Sequence, residues 1–277
     1  MNRIPPPGPI ALAFAKAALL VALIVATSGC GGDGSVSKAA TSMGLAEMPP
    51  LPPEVVDILC DVSVESPCTA TTLAEQLDRA LPYAAARPGS HVRLWRVGKD
   101  VSDVLLVAEI VSPASSKRKK AQKGADTKWI AEARRFLLKA AEAMLNGPRV
   151  MRSPLMEGIT KVAMADIPGI TQRVQILISD GLQVSTYADF ECAELAPIDT
   201  FCARLHAEHV LVPGALKDTK VYLAFTDMSH AARNRCRSTI FRLSAITDSW
   251  RQVLREAGAT ETVITNGVAP IGERPTE

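Results

Sequence analysis

Aromatic residues make up only 4% of this 277-residue chain. Binding sites for single-stranded nucleic acid stack bases on aromatic rings, and the chain has little material for such a platform. A surplus of one charge is missing too. The formal net charge is +2, and it falls to zero if residues 1–29 are removed, because these carry Arg3 and Lys16 and no acid. A dedicated nucleic-acid binder displaces phosphate counterions with a basic surplus, so that class is set aside. No glycine-rich GxxxxGK loop followed by Ser or Thr cradles a phosphate. No GxSxG turn presents a serine nucleophile. The six cysteines form no CxxC and no zinc-type spacing. Apart from one stretch near the start, no apolar run is long enough to approach a membrane span.

That stretch is Ala17–Ala26, AALLVALIVA, with Arg3 and Lys16 before it and Thr27-Ser28-Gly29-Cys30 after it. It is too short to span a bilayer as a stable helix. The pattern resembles a bacterial lipoprotein signal, in which small residues precede a cysteine that is lipidated and becomes the mature N-terminus. It departs from that pattern in having Thr27 where a leucine is usual. The resemblance implies a signal peptide over residues 1–29, a lipid on Cys30, and a membrane-tethered protein on the periplasmic or outer face of a bacterial cell envelope. An ordinary signal peptide or a single membrane anchor is the alternative. Residues 30–53 are rich in Gly, Ser and Pro, end in Met48-Pro49-Pro50-Leu51-Pro52-Pro53, and read as a flexible tether. A globular domain is expected over residues 54–259 and a frayed tail over 260–277.

Export would place the five remaining cysteines in an oxidising compartment, where disulfides persist. Cys192 and Cys202 flank the loop FECAELAPIDTFC, which a bridge between them would close. Cys60 lies in an apolar run and reads as a buried free thiol. Cys68 and Cys236 are a second candidate pair, although spacing does not fix connectivity.

Periodicity divides the domain into alternating strands and helices. A strand is expected over Val55–Asp61, then a helix with Leu73, Leu77, Ala80 and Leu81 on one face, disturbed near its end by Pro82. His91–Val97 and Asp103–Val111 read as a hairpin around Gly98-Lys99-Asp100. Ser115–Gly124 reads as a basic loop, followed by a helix over Lys128–Leu145. A further helix is expected over Arg152–Ala165, with Ser153 as its N-cap and Pro154 in its first turn. The apolar run Val174–Ser179 stops at Ser179-Asp180-Gly181. Then come a short helix within 189–205, a strand start at His209–Val212, a strand at Lys220–Phe225, and a helix over Arg237–Ala257 closed by Gly258. This order predicts an α/β fold: a Rossmann-like, doubly wound, mostly parallel sheet with helices on both faces and one antiparallel edge strand.

Two apolar strands end in oxygen-bearing side chains: Asp61 and Ser63 after the first, Asp180 after the later one. In open α/β sheets the carboxyl ends of strands are where ligands and metals sit. The order strand-Asp61-x-Ser63, then Ser153-Pro154 opening a helix, then strand-Ser179-Asp180-Gly181, and finally the helix segment SWRQVLREAGA is similar to a von Willebrand factor A-like domain, over most of Glu54–Ala259. In that family a metal-ion-dependent adhesion site takes Asp-x-Ser-x-Ser from one loop, Thr from a second and Asp from a third. The resemblance implies Asp61, Ser63, Ser153 and Asp180 as ligands, directly or through water, of Mg²⁺ or another divalent cation. Ser153 stands in for the usual Thr. The third position of the first loop is Glu65 rather than Ser. That carboxylate would fill a coordination position, favour Ca²⁺ or Mn²⁺ by its charge, or point away and leave its place to Ser66.

Other candidates carry less. His206 and His209 lack HExxH spacing and a third ligand. Asp227 and His230 follow a strand and read as a turn. Lys117–Lys123 is a solvated basic loop, or a contact for anionic lipid or an acidic partner. The expectation is a non-enzymatic, membrane-tethered module that binds a protein partner through a divalent cation, with no nucleic acid and no evident small-molecule substrate. The alternatives are a metal-free envelope scaffold of the same fold or, from another class, an envelope hydrolase.

Overall fold

The computed structural model describes residues 51–64, 66–114, 119–183, 185, 198–225 and 240–272. In chain order the elements are β1 (Val55–Asp61), α1 (Ala70–Ala85), β2 (His91–Val97), a 3-10 turn η1 (Val101–Asp103), β3 (Val104–Val111), α2 (Lys119–Leu145), α3 (Leu155–Ala163), β4 (Arg173–Ser179), α4 (Ile198–Ala207), β5 (Thr219–Phe225), α5 (Ile240–Glu256) and β6 (Glu261–Thr265). The strands form one six-stranded sheet in the order β3-β2-β1-β4-β5-β6. All neighbours are parallel except β2 and β3, which are antiparallel and place β3 at the edge. The expected α/β architecture is therefore the one observed.

Both sheet faces are covered, which explains why the central strands are apolar without strict alternation. One face packs Val56, Ile58, Cys60, Val92, Leu94, Val174 and Ile176 against Leu73, Leu77 and Leu81 of α1 and Leu137 of α2. The other packs Leu59, Trp95, Leu177 and Leu223 against Leu155 and Ile159 of α3 and Trp250 and Leu254 of α5. Each fully buried Leu or Ile contributes about 1.5–3 kcal/mol, so the two layers fix the sheet from both sides. Thr69 and Thr72 form a capping box that starts α1, and the helix runs through Pro82 to Ala85.

The strand order reverses direction between β1 and β4. Connections from β1 lead outward to β2, whereas β4 continues toward β5 and β6. This topological switch opens a crevice at the carboxyl ends of β1 and β4. Asp61 is the last residue of β1, and Asp180 is the first after β4.

Several expectations are corrected. The helix expected from Lys128 begins at Lys119, so the last part of the expected basic loop is helical. His209–Val212 is a turn rather than a strand start, with His209 at φ 56°. The expected frayed tail instead contributes β6, which pairs in parallel with β5, and buries Ala269 and Ile271. Cys60 is not a free thiol and Cys68 does not pair with Cys236: Cys60 and Cys68 form a disulfide, with Cα atoms 5.6 Å apart. Cys202 is buried, with its thiol close enough to Glu256 to favour that carboxylate's charged form. Cys30, Cys192 and Glu65, and also Asp227 and His230, lie outside the described residues.

Candidate metal centre

Asp61 ends β1 with a fully buried carboxylate. Its Oδ1 accepts from the Ser63 backbone N–H at 2.9 Å. Its Oδ2 accepts from Ser63 Oγ at 3.1 Å and from Ser179 Oγ at 2.8 Å. These donors are all neutral. Burial raises the Asp61 carboxyl above its ordinary range, outweighing the hydrogen bonds from Ser63 and Ser179 and the nearby Ser153 hydroxyl, which favour the charged form. A buried carboxylate compensated only by neutral dipoles is a place where a cation gains most.

Ser179, read from sequence only as the residue before Asp180 at the strand end and not as a site residue, links the two acidic loops. It is one step beyond Cys60 and Ile178, the last paired residues of β1 and β4. Its oxygen lies 3.4 Å from Asp180 Oδ1 as well as 2.8 Å from Asp61 Oδ2, and it accepts from the Gly181 N–H at 3.1 Å. With one hydroxyl proton, the shorter contact to Asp61 takes the donation. The available signal was the parallel register, which sets the residue before Asp180 opposite Asp61. Asp180 is buried, and its Oδ1 accepts from the Leu182 N–H at 3.0 Å. Gly181 makes this turn possible: it sits at φ +78°, and a Cβ there would meet the Phe225 ring at 2.9 Å.

Ser153 departs from its expected role. α3 starts at Leu155, Pro154 occupies the cap position, and no side chain of the cap residue bonds the helix. The capping acceptor comes from elsewhere: Gln183 Oε1, beyond β4, accepts from the Met156 N–H at 2.8 Å. Ser153 is thereby released. It is 3% exposed, its Oγ has no hydrogen-bond partner among the described residues, and it lies near enough to Asp61 to favour that carboxylate's charged form. An orphaned buried hydroxyl beside a buried carboxylate is costly unless something else satisfies it.

Backbone pairing holds the first two loops together. Val64 N donates to Val150 O at 2.9 Å, Val150 N donates to Val62 O at 3.2 Å, and Ser63 and Val150 form a parallel bridge. The Cys60–Cys68 disulfide closes a ring that contains Asp61 and Ser63. Ser66, the candidate substitute for Glu65, is committed locally, since its Oγ accepts from the Cys68 N–H at 3.2 Å. Asp61, Ser63, Ser153 and Asp180 thus stand on the three loops at one end of the sheet. Among the described residues no three His, Cys, Asp or Glu side chains converge as a ligand cluster. The donor set is two carboxylates with hydroxyls, the oxygen-only chemistry suited to Mg²⁺ or Ca²⁺ rather than zinc.

A second polar cluster lies under the site. Asp57, fully buried on β1, accepts from Arg93 Nε at 2.6 Å and Nη2 at 3.0 Å, from Trp95 Nε1 at 2.7 Å and from Arg173 Nη1 at 3.4 Å. Burial raises its carboxyl despite these partners, Arg93 foremost. The two arginines also bond the end of α3: Arg93 Nη1 and Arg173 Nη2 reach Ala165 O at 2.9 and 3.0 Å, and Arg173 reaches Val162 O. They neutralise the orphan carbonyls of a helix C-terminus. His206 pairs with Glu256 at 3.3 Å, and His209 is exposed, so the two histidines form no site together.

No protein-family model matches the chain, and no curated protein does. Among solved structures it is similar to the pilus adhesin SpaC from Lactobacillus rhamnosus GG, at 11% identity and a TM-score of 0.43, over 78% of this chain and 28% of the adhesin. It is also similar to proximal thread matrix protein 1 from the mussel byssus, at 13% identity and a TM-score of 0.34, over 78% of this chain and 44% of that one. The chain spans less than half the length of either protein.

Proposed function

We propose that this is a von Willebrand factor A-like binding module, tethered to the bacterial envelope through Cys30, that engages a protein partner through a divalent cation at the carboxyl ends of β1 and β4. The observation that carries the reading is the buried Asp61 carboxyl, with no Lys or Arg among its partners in the described residues, beside the Ser153 hydroxyl, which has no hydrogen-bond partner among them. Both come from loops that the family uses, and Asp180 stands on the third. The residues fit a hard cation: Asp61, Ser63, Ser153 and Asp180 would hold it directly or through water, and it would leave a position for an acidic group of the partner. The buried Cys60–Cys68 disulfide supports export, because such bonds persist in oxidising compartments.

A metal-free scaffold is favoured by one observation, that Asp61 already accepts three hydrogen bonds. A hydrolase needs a nucleophile with a base in reach. Ser63 and Ser179 instead donate directly to a buried carboxylate, with no histidine among their hydrogen-bond partners in the described residues.

Thermal melts in EDTA and with added Mg²⁺, Mn²⁺ or Ca²⁺ test the cation. A cation at about 100 times its dissociation constant stabilises by about 2.7 kcal/mol, or roughly 5–10 °C for a domain of this size. Asp180→Ala is expected to abolish the shift. No shift with any of the three ions would refute the cation reading and leave the scaffold.

A further inference from the structure

A cleft of about 680 Å³ runs along α3. Pro154, Glu157, Lys161 and Met164 recur at helical spacing and form its floor with Thr160. One wall is Lys99, Asp100 and Val101, ahead of β3; the other is Glu208, His209 and Val210, after α4. The size is that of a small-molecule site, with apolar lining from Val101, Met164 and Val210 and a few placed polar groups.

Two of those groups lack what burial ordinarily demands. Glu157 is 5% exposed, and its carboxylate accepts from Gln183 Nε2 at 2.6 Å but has no ion-pair partner among the described residues. Lys161, one turn on, does not neutralise it: its ammonium donates to Val101 O and Val104 O, both at 2.8 Å. Thr160 is 7% exposed, and its Oγ1 has no hydrogen-bond partner. A carboxylate and a hydroxyl within one turn, both acceptors, match a group with several N–H donors. At the mouth Lys99 and Arg152 are exposed; Lys99 acts on the neighbouring Asp100 carboxylate, and Arg152 makes no ion pair among the described residues.

We propose that this cleft binds a small aminocarboxylate, an amino acid or short peptide, with its ammonium against Glu157 and Thr160 and its carboxylate toward Lys99 and Arg152. A deep acid with no cation partner among the described residues, and two exposed cations at the rim of which only Lys99 has a neighbouring acid, Asp100, give the cleft the polarity of such a zwitterion. The cleft contains none of the four candidate cation ligands, although Arg152 and Pro154 of its lining flank Ser153.

Isothermal titration in EDTA tests this with three probes: L-lysine, cadaverine, which is lysine without its carboxylate, and hexanoate, which has no amine. L-lysine is expected to bind tightest, cadaverine more weakly and hexanoate not at all. Glu157→Gln is expected to weaken L-lysine at least about tenfold, the value of roughly 1.4 kcal/mol. Because that change also touches Gln183, Thr160→Val provides the second arm. It removes an unsatisfied buried hydroxyl, so the melting temperature should hold or rise while L-lysine affinity falls about threefold or more. The proposal is overturned if neither amine binds below about 10 mM, if hexanoate binds as well as L-lysine, or if both folded variants bind L-lysine like the parent.

Discussion

The disulfide offers a direct test of how the site is held. Cys60 and Cys68 are eight positions apart, and the ring they close contains Asp61 and Ser63. Cross-linking a loop of that length removes about 2.5 kcal/mol of chain entropy from the unfolded state. In a domain of this size that corresponds to a fall in melting temperature of roughly 5–10 °C. The perturbation is the double variant Cys60→Ala, Cys68→Ala. Alanine is preferred because both sites are fully buried and serine would add unpaired hydroxyls. Calorimetry in EDTA reads the stability change, and the same melts with Mg²⁺ read the proposed cation binding. Loosening the ring makes a cation do more ordering work when it binds, so the Mg²⁺-dependent rise should shrink as well. A melting temperature within about 2 °C of the parent would show that the bond adds no stability and refute the entropy argument. A lowered melting temperature with an unchanged Mg²⁺ rise would show that the first loop is ordered without the bond.

Two further predictions concern buried charge. Asp57→Ala leaves Arg93 and Arg173 buried without their carboxylate, so denaturant unfolding should show a loss of about 3–5 kcal/mol, and an unaffected midpoint would mean that the arginines find other partners. The Asp61 carboxyl is raised by burial from its ordinary value of 3.8. Between the unfolded and the folded values the native state holds a proton that the unfolded chain has released, so the contribution is fully present below the unfolded value and lost as pH rises through the folded one. In EDTA the stability of the parent relative to Asp61→Asn should therefore improve on acidification from neutral pH. Added Mg²⁺ competes with that proton, so its stabilising shift should shrink over the same range. A parent-to-variant difference that is flat with pH would contradict the assigned burial cost.

How much was legible depended on whether a feature is local. Apolar runs such as Val174–Ser179 mark strands that are covered on both faces, and the Gly98-Lys99-Asp100 turn marks the one antiparallel pair, so the α/β class follows from pattern alone. The tail was misread because Glu261–Thr265 is short and only half-buried, and its partner β5 is some forty residues earlier (Lys220 opposite Glu261). Ser153 was misread because Ser-Pro before a helix usually caps it, whereas here Gln183, thirty residues later, supplies the acceptor. Asp57, Arg93 and Arg173 are unremarkable singly, since their meaning lies in parallel strands that set them side by side.

By itself the sequence determined the elements, the ends of β1 and β4 where oxygen ligands collect, and the candidate set Asp61, Ser63, Ser153 and Asp180. The elements and the strand-end residues Asp61, Ser63 and Asp180 follow from hydrophobic periodicity and turn chemistry, which act over a few residues, whereas Ser153 joins them only through the resemblance to von Willebrand factor A-like domains. Tertiary structure alone decided that Cys60 joins Cys68, that Ser179 bridges the two acidic loops, that Ser153 is released from capping, and that Glu157 and Thr160 share the floor of one cleft. Each depends on groups from distant segments meeting in a buried place. There the cost of an unpaired charge or hydroxyl is set by which neighbours the fold supplies, and no local pattern records that.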